Sequence, residues 1–405
     1  MLNNLSPVGV LDLGSYQSKF IIFKITNSKI EILSKIILKT QGVKKGFISD
    51  IEKLANLINE LIGKAEDSAN LKIKDVYLSI SPLNSFFISF CNSKNIGGYE
   101  IEHENDVQFL INDAVNLFQD DYAHSNIIHL FNFNFRTDKT NFVENPVGLV
   151  ADSFESDINI VCTKNNIIKN FIKIFNNINL KLEKFIFAPY VLGLLANLES
   201  PLSDSIIILD FGHEKTSLSI FRGQNYLFTT TVPLGSWHVT NDIAKSLNLS
   251  LDIAENLKHN HSSCKIIGDD QIQQYIESEN LGSKSYKKVS NNILNRIVNS
   301  RVEEIIDFLN NEISYFIKNK MNFNKIVVTG EGSKIRGFYE LLKQKLLING
   351  LVVEKFSTKI KNNIDDEFDV CLSMISHIQN FYAKEIPSNS KVQKSIFKKL
   401  YSIFS

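Results

Sequence analysis

The sequence predicts an α/β protein of two similar lobes facing each other across a cleft, and three short stretches carry that expectation. Residues 206–221 (IIILDFGHEKTSLSIF) run apolar into Asp210, turn through Phe211-Gly212, and return with alternating residues. A continuous β-branched run with a period-2 partner reads as a hairpin whose first strand is buried on both faces. Residues 8–25 (VGVLDLGSYQSKFIIFKI) repeat the layout, with Asp12 and Gly14 at the turn. Residues 325–337 (KIVVTGEGSKIRG) read as a strand and a glycine-rich turn, followed by a helix predicted over 338–347. That third order aims backbone N–H groups and a helix N-terminus at an anion or nucleoside. A single Asp-x-Gly is ordinary turn chemistry. Two of them, in separate halves of the chain, set two carboxylates at two strand ends, each beside a residue whose backbone admits close approach.

The bulk composition narrows the function classes. At 405 residues the chain suits two or three domains and can bury large cores. Lys plus Arg and Asp plus Glu both number 44, so the formal charge is zero, which argues against a global nucleic-acid footprint. The four cysteines (Cys91, Cys162, Cys264, Cys371) show no framework spacing, so a reduced, cytosolic setting is expected. The N-terminus lacks a basic segment followed by an apolar core, so no signal peptide is expected. No apolar run approaches the roughly 20 residues that span a bilayer.

In chain order, a strand pair around 30–38 follows the first hairpin. Ser49-Asp50 then caps a helix with apolar residues at Ile51, Leu54, Leu57, Ile58, Leu61 and Ile62. A strand at 76–80 ends at Pro82. From Leu83 to about Val161 strand-like runs (86–90, 127–135, 157–162) surround one amphipathic helix, 104–118, and read as an α+β insert. A helix at 165–177, a strand at 184–188 and an apolar helix at 189–197 lead to the central hairpin. Beyond it come a strand at 227–232, helices at 236–247 and 250–258, an irregular stretch 264–288, and a long helix 290–320. A last helix is predicted over 365–382, then a linker and a separate element, 391–404.

The two Asp-x-Gly hairpins and the glycine turn, in this order, resemble the phosphate-1, phosphate-2 and adenosine motifs of the actin/Hsp70/sugar-kinase superfamily. A closer likeness rests on Gly42-Val43-Lys44-Lys45-Gly46, Asn145-Pro146-Val147-Gly148-Leu149, Val232-Pro233-Leu234-Gly235, Thr240-Asn241-Asp242-Ile243-Ala244 and a basic amphipathic C-terminus. With these, the chain resembles the FtsA family of actin-like bacterial cell-division proteins over nearly its whole length. The resemblance implies an actin/Hsp70/sugar-kinase-like fold, two lobes with a nucleotide cleft and an α+β insert (subdomain 1C). Its implied boundaries are 1–82 and 162–188 for lobe 1 (1A), 83–161 for the insert, and 189–226 with 301–383 for lobe 2 (2A). Subdomain 2B takes 227–300, the linker 384–390, and an amphipathic membrane-targeting helix 391–405.

The resemblance also implies a nucleotide site for ATP with Mg²⁺. Asp12 and Asp210 would bind the metal through water, since Mg²⁺ sheds its hydration shell reluctantly. Gly14, Ser15 and Lys19 would face the phosphates, with Gly212 in the second turn. Glu255 and Lys258, in Ala254-Glu255-Asn256-Leu257-Lys258, would lie near the nucleoside, and Gly330, Gly332 and Ser333 would form the adenosine turn. Two departures stand out. Glu331 replaces the adenosine turn's middle glycine, and Gly212-His213-Glu214-Lys215 replaces the family's Gly-Gly-Gly-Thr. A Glu214 carboxylate about 4 Å from a phosphate would cost on the order of 4 kcal/mol at an effective dielectric near 20. Lys215 pointing inward would offset that, or Glu214 could point to solvent. The competing expectation is a degenerate pocket that only keeps the halves together. ATP bound but turned over slowly or not at all is the working expectation, so no enzyme activity is assigned.

Residues 391–405 form their own unit. At about 100° per residue, Val392, Ile396, Phe397, Leu400, Ile403 and Phe404 fall within an arc of roughly 140°, with Lys391, Lys394, Lys398 and Lys399 outside it. No acid follows Glu385. An apolar face, a basic face and a linker in front are the signature of an interfacial membrane helix. Apolar burial of roughly 1.5–3 kcal/mol per side chain and about 1 kcal/mol per lysine oppose an ordering cost of about 1 kcal/mol or more per residue. The expected hold is modest for one molecule and strong for an array.

Further features are weighed the same way. His259, His261 and Cys264 match no tetrahedral metal spacing and read as a solvated loop. In FtsA-like proteins subdomain 2B receives the acidic C-terminal peptide of FtsZ, and the resemblance carries Arg301 and Lys288 over as contacts. The first functional expectation is an adaptor that tethers FtsZ filaments to the cytoplasmic side of the inner membrane at midcell. It would polymerise there and engage later division membrane proteins through the insert, on an anionic lipid membrane and without nucleic acid. A PilM-type pilus-assembly adaptor shares the fold and insert, but the basic C-terminus disfavours it. A sugar or acetate kinase shares the phosphate turns but needs a general base and substrate pocket that nothing in the sequence marks.

Overall fold

The computed structural model describes residues 5–197, 205–265, 275–276, 288–346, 348, 350–357 and 366–384. Two five-stranded sheets carry the fold. The first runs Lys181–Phe187, Asp75–Ile80, Leu5–Leu13, Gln17–Thr26, Lys29–Lys39, and the second Asn225–Val232, Thr216–Arg222, Ser205–Phe211, Lys325–Thr329, Val352–Lys355. In the first, Leu5–Leu13 pairs antiparallel with its hairpin partner and parallel with Asp75–Ile80. In the second, Ser205–Phe211 pairs antiparallel with Thr216–Arg222 and parallel with Lys325–Thr329. Started from the meander edge, the two sheets have the same strand order and the same directions. The expected duplication is therefore present at the level of topology.

The hydrophobic pattern explains why these strands are central. Val10, Leu11, Phe20, Ile21 and Ile22 are fully buried, as are Ile206, Ile207, Leu218 and Ile220, so both faces of each hairpin are covered. Strands buried on both faces read as continuous apolar runs, which is what both sequences show. The helix Ile51–Ala69 begins where Asp50 accepts the Lys53 N–H at 3.0 Å, ends on left-handed Asn70, and buries Leu54, Leu57, Ile58, Leu61 and Ile62 on the first sheet. The expected cap at Asp50 is present, and so is the expected face except for Ile51, which is exposed.

Three boundaries differ from the expectation. The helix Asp369–Lys384, placed in lobe 2 by sequence order, packs Cys371, Leu372, Met374 and Ile375 with Val8, Val10, Ile21 and Phe23 of the first lobe. Its apolar face fits the first sheet's outer surface, so the chain returns to where it began. Strand Asn225–Val232, placed largely in 2B, completes the second sheet as its edge. The long helix Asn291–Lys318, divided at 301, is continuous, and one core joins it to the second sheet and to Val239, Ile243, Ala254 and Leu257.

The insert is an antiparallel four-stranded sheet, ordered Phe86–Glu100, Val150–Lys164, Ser125–Thr137, Asn141–Val143, with one helix, Gln108–Asp121. Its strands are longer than the predicted runs because polar residues such as Asn92, Ser93 and Ser156 continue the ladder. A π-helical turn, His103–Val107, precedes the helix expected to start at 104. At its base the insert is tied to both lobes: the Phe187 N–H donates to His129 Nε2 at 2.9 Å, and Asn159 Nδ2 donates to the Tyr226 carbonyl at 2.8 Å. The expected motif turn at Asn145–Leu149 closes on Ile101, whose carbonyl accepts the Gly148 N–H and whose own N–H reaches Leu149 O.

Candidate functional site

Asp12 and Asp210 stand at the carboxyl ends of the two central strands. Each central strand has its hairpin partner on one side and a parallel strand on the other. The crevice outside such a switch point is where open α/β sheets take ligands. Burial raises both carboxyl pKa values; Lys19 chiefly opposes this at Asp12, and Lys215 chiefly opposes it at Asp210, where Asp12 itself adds to the rise. The two acids therefore feel each other across the cleft. Burial pulls Lys215 down to about 8, with Asp210 and Asp12 as the main opposing charges. Lys215 thus faces the carboxylate pair, as one of the two alternatives at the second turn requires.

Glu214 does not simply point to solvent: its carboxylate accepts the Lys45 backbone N–H at 2.5 Å, across the cleft. His213 packs on Tyr16 of the first turn with ring centroids 4.8 Å apart. Burial, aided by the Lys258 charge, lowers His213 to about 4, so its ring is neutral near pH 7.

The turns themselves are braced by residues the sequence did not single out. The Thr40 hydroxyl donates to Gly14 O at 2.7 Å, and its N–H donates to Tyr16 O, which fixes the Gly14–Lys19 turn. Ser236 N–H and Trp237 N–H, at a helix N-terminus, donate to the carbonyls of Gly212 and His213. Gly235 makes that approach possible, since a Cβ there would lie 2.4 Å from His213 O. Its place in Val232-Pro233-Leu234-Gly235 was the signal available for it.

The side expected to face a nucleoside is built from two helices and the Gly330 turn. Lys258, 2 % exposed, donates to Glu255 Oε1 at 2.8 Å and to Thr240 Oγ1 at 2.9 Å. Burial alone would raise the Glu255 carboxyl, but His259 and Lys258 outweigh it and hold the group far below the usual range. Gly330 takes φ +91° and sits against the second turn, where a Cβ would lie 2.4 Å from Phe211 O and 2.7 Å from Asp210 Oδ1. Ser333 donates its hydroxyl to Gly330 O at 2.7 Å, closing the turn on itself. Gly332 packs on the Phe211 ring, and Glu331 pairs outward with Lys334. A short 3₁₀ turn, Glu331–Lys334, separates the strand from the helix Phe338–Lys345.

Asp12, Lys19 and Asp210 lie on the central hairpin strands, Gly14, Ser15 and Gly212 in the turns after them, Glu255 and Lys258 on the helix Leu251–Asn260, and Gly330, Gly332 and Ser333 in the turn after Lys325–Thr329. Two acids at the ends of duplicated strands, with the Lys19 and Lys215 charges acting on both, fit a nucleotide with Mg²⁺. Asp12 and Asp210 would hold the metal, Lys19 and Lys215 the phosphates, and the Gly330 turn the nucleoside.

The residues expected to meet a partner lie elsewhere. Arg301 donates to Asp242 Oδ2 at 2.5 Å and pairs with Glu304, so acids of its own chain already occupy it. Lys288 is exposed, its ammonium 5.9 Å from the Tyr275 ring centre. Residues 391–405, with Val392, Lys394, Ile396, Phe397, Lys398, Lys399, Leu400, Ile403 and Phe404, lie outside the described residues. The stretch read as a solvated loop is instead structural. His259 bonds Glu255, and Cys264 is buried with its N–H on Arg336 O. No group of three or more metal-binding side chains occurs among the described residues.

Comparison with known proteins adds likenesses of three kinds. The family model described as cell division protein FtsA matches residues 207–368, and that of the SHS2 domain inserted in FtsA matches 89–162. Cell division protein FtsA of Borreliella burgdorferi is 26% identical over 411 residues, covering 95% of this chain and 94% of its own. Its counterpart in Agrobacterium fabrum is 25% identical over 356 residues, covering 84% and 80%. Among solved structures, a PilM–PilN type IV pilus biogenesis complex aligns at TM-score 0.66 with 17% identity, covering 91% of this chain and 98% of the matched one. That last likeness speaks for the fold alone, which is actin-like.

Proposed function

Because this chain belongs to the FtsA family of cell-division proteins, we propose that it tethers FtsZ filaments to the cytoplasmic face of the bacterial inner membrane at midcell and polymerises there. The observation that carries this reading is where the last described helix packs. The helix Asp369–Lys384 packs into the first lobe, and the segment it leads into is the basic amphipathic stretch 391–405. A rigid body would thus hand its membrane segment out from one lobe, leaving the second lobe and the insert for partners. Among the described residues no helix is long and apolar enough to cross a membrane.

Two surfaces support a partner role. The insert exposes Tyr99 (75%) and Val150 (65%) on paired strands, and later division membrane proteins would dock there. Arg301 and Lys288 would meet the acidic FtsZ peptide, which must displace Asp242 and Glu304 from Arg301.

ATP with Mg²⁺ would sit between the duplicated turns, the metal offsetting phosphate charge. Asp12 and Asp210 would orient its water shell, Lys19 and Lys215 would hold the phosphates, and the Gly330 turn would hold the nucleoside. Turnover would be weak or absent, since Glu214 is engaged by Lys45 and His213 is packed on Tyr16. The reading is checked by flotation with vesicles containing anionic lipid. The full chain should float and a chain ending at Ser390 should not; equal flotation would refute it.

A further inference from the structure

His213 and Glu214 are the two long side chains at the start of the second phosphate turn. Both reach the opposite lobe. Their landing points are rigid. Val43–Lys44 and Phe47–Ile48 form a small hairpin whose two tip residues, Lys45 and Gly46, take φ +51° and +76°. Two successive left-handed residues make a type I′ turn, the tight form that matches strand twist. Gly46 is wedged on Pro82 and Ser81, and Gly42 O accepts Ser49 N–H at 2.8 Å, so the tip cannot swing independently of the first lobe. In such a tip the N–H of the first turn residue points away from the hairpin, and Glu214 satisfies it. Tyr16, the landing point for His213, lies in the first phosphate turn, which Thr40 braces from behind.

On the other side, the carbonyls of Gly212 and His213 are held by Ser236 and Trp237 N–H groups at 2.9 and 2.7 Å. Two stiff turns are therefore joined by one charge-assisted hydrogen bond and one ring contact, at separate points. Two such points resist rotation of the lobes where one would act as a pivot. We propose that Glu214 on the Lys45 N–H and His213 on Tyr16 form a latch that holds the two lobes together across the cleft without a nucleotide. Closure is then a built-in property of the chain, and the surfaces offered to partners keep one arrangement whether or not ATP is present. This goes beyond the nucleotide reading and does not depend on it.

The test is a distance measurement between the lobes on the full chain. Spin labels at Asn59→Cys and Ser246→Cys, both exposed and on opposite lobes, are placed in a Cys91→Ser background, Cys91 being the exposed cysteine. Without nucleotide, the otherwise unchanged chain should give one narrow distance distribution that millimolar Mg-ATP leaves in place. The His213→Ala/Glu214→Ala pair should broaden it toward longer distances, with either single change intermediate and Tyr16→Phe unchanged. A broad nucleotide-free distribution in the otherwise unchanged chain overturns the latch, even if a variant fails to fold. A double variant that melts normally and stays as narrow as the parent overturns it too. Both outcomes are read without nucleotide, so a failure to bind Mg-ATP, followed separately by calorimetry, leaves the latch standing.

Discussion

The Thr329 hydroxyl donates to Asp369 Oδ2 at 2.9 Å, and both residues are buried. Thr329 ends a central strand of the second sheet, whereas Asp369 opens the helix packed into the first lobe. One buried hydrogen bond thus joins the lobes beside the candidate site, since Thr329 is Asp210's partner in the sheet. Thr329→Val removes the donor but keeps the shape. It should cost about 1–3 kcal/mol, the penalty for stranding a buried acceptor. Urea denaturation checks this; a midpoint equal to the parent's would show that the bond is not needed.

Lys258 is enclosed by Glu255, Thr240 and the Ser236 carbonyl. Breaking a buried pair by removing one partner costs about 3–5 kcal/mol, because the other charge stays behind. Lys258→Ala should lose an amount of that order. Acid should act on the same pair in a defined direction. The folded Glu255 pKa lies below its ordinary 4.5, so its contribution is present above pH 4.5 and is lost as pH falls toward the folded value. Glu255→Gln should therefore flatten the acid limb of a stability–pH curve, and an unaltered limb would contradict the assignment.

Gly330 occupies φ +91° with Phe211 O and Asp210 Oδ1 against its open side. Gly330→Ala forces a Cβ into that space and a side chain into a left-handed conformation, a strain of about 1–3 kcal/mol. It should also push Asp210 from its position and weaken Mg-ATP binding roughly tenfold or more, about 1.4 kcal/mol. Calorimetry with the folded variant reads both effects. Unchanged affinity would place the nucleotide elsewhere.

Much of this was legible in the sequence because it was written in periodicity. The apolar runs before Asp12 and Asp210 each need two covered faces, and the repeated layout of the two stretches predicts two sheets of the same plan. The cap at Asp50 and the face of its helix were legible for the same local reason. What was not legible depends on contacts between distant segments. Nothing local shows that Glu214 will find the Lys45 N–H, since that pairing needs both the type I′ tip and the lobe orientation. The helix Asp369–Lys384 was grouped with the wrong lobe because an amphipathic face does not state which sheet it covers. Cys264 looked like part of a polar loop, yet the approach of Arg336 buries it. Arg301 was read as open to a partner, and only the fold brings Asp242 beside it.

The central claim is that this body fastens a filament to lipid through its C-terminal segment. The most direct measurement mixes FtsZ filaments with anionic vesicles and asks what floats. FtsZ should rise with the vesicles when the full chain is present, and should stay behind without it or with the chain ending at Ser390. FtsZ that floats equally with the shortened chain, or that fails to float with the full one, would contradict the account.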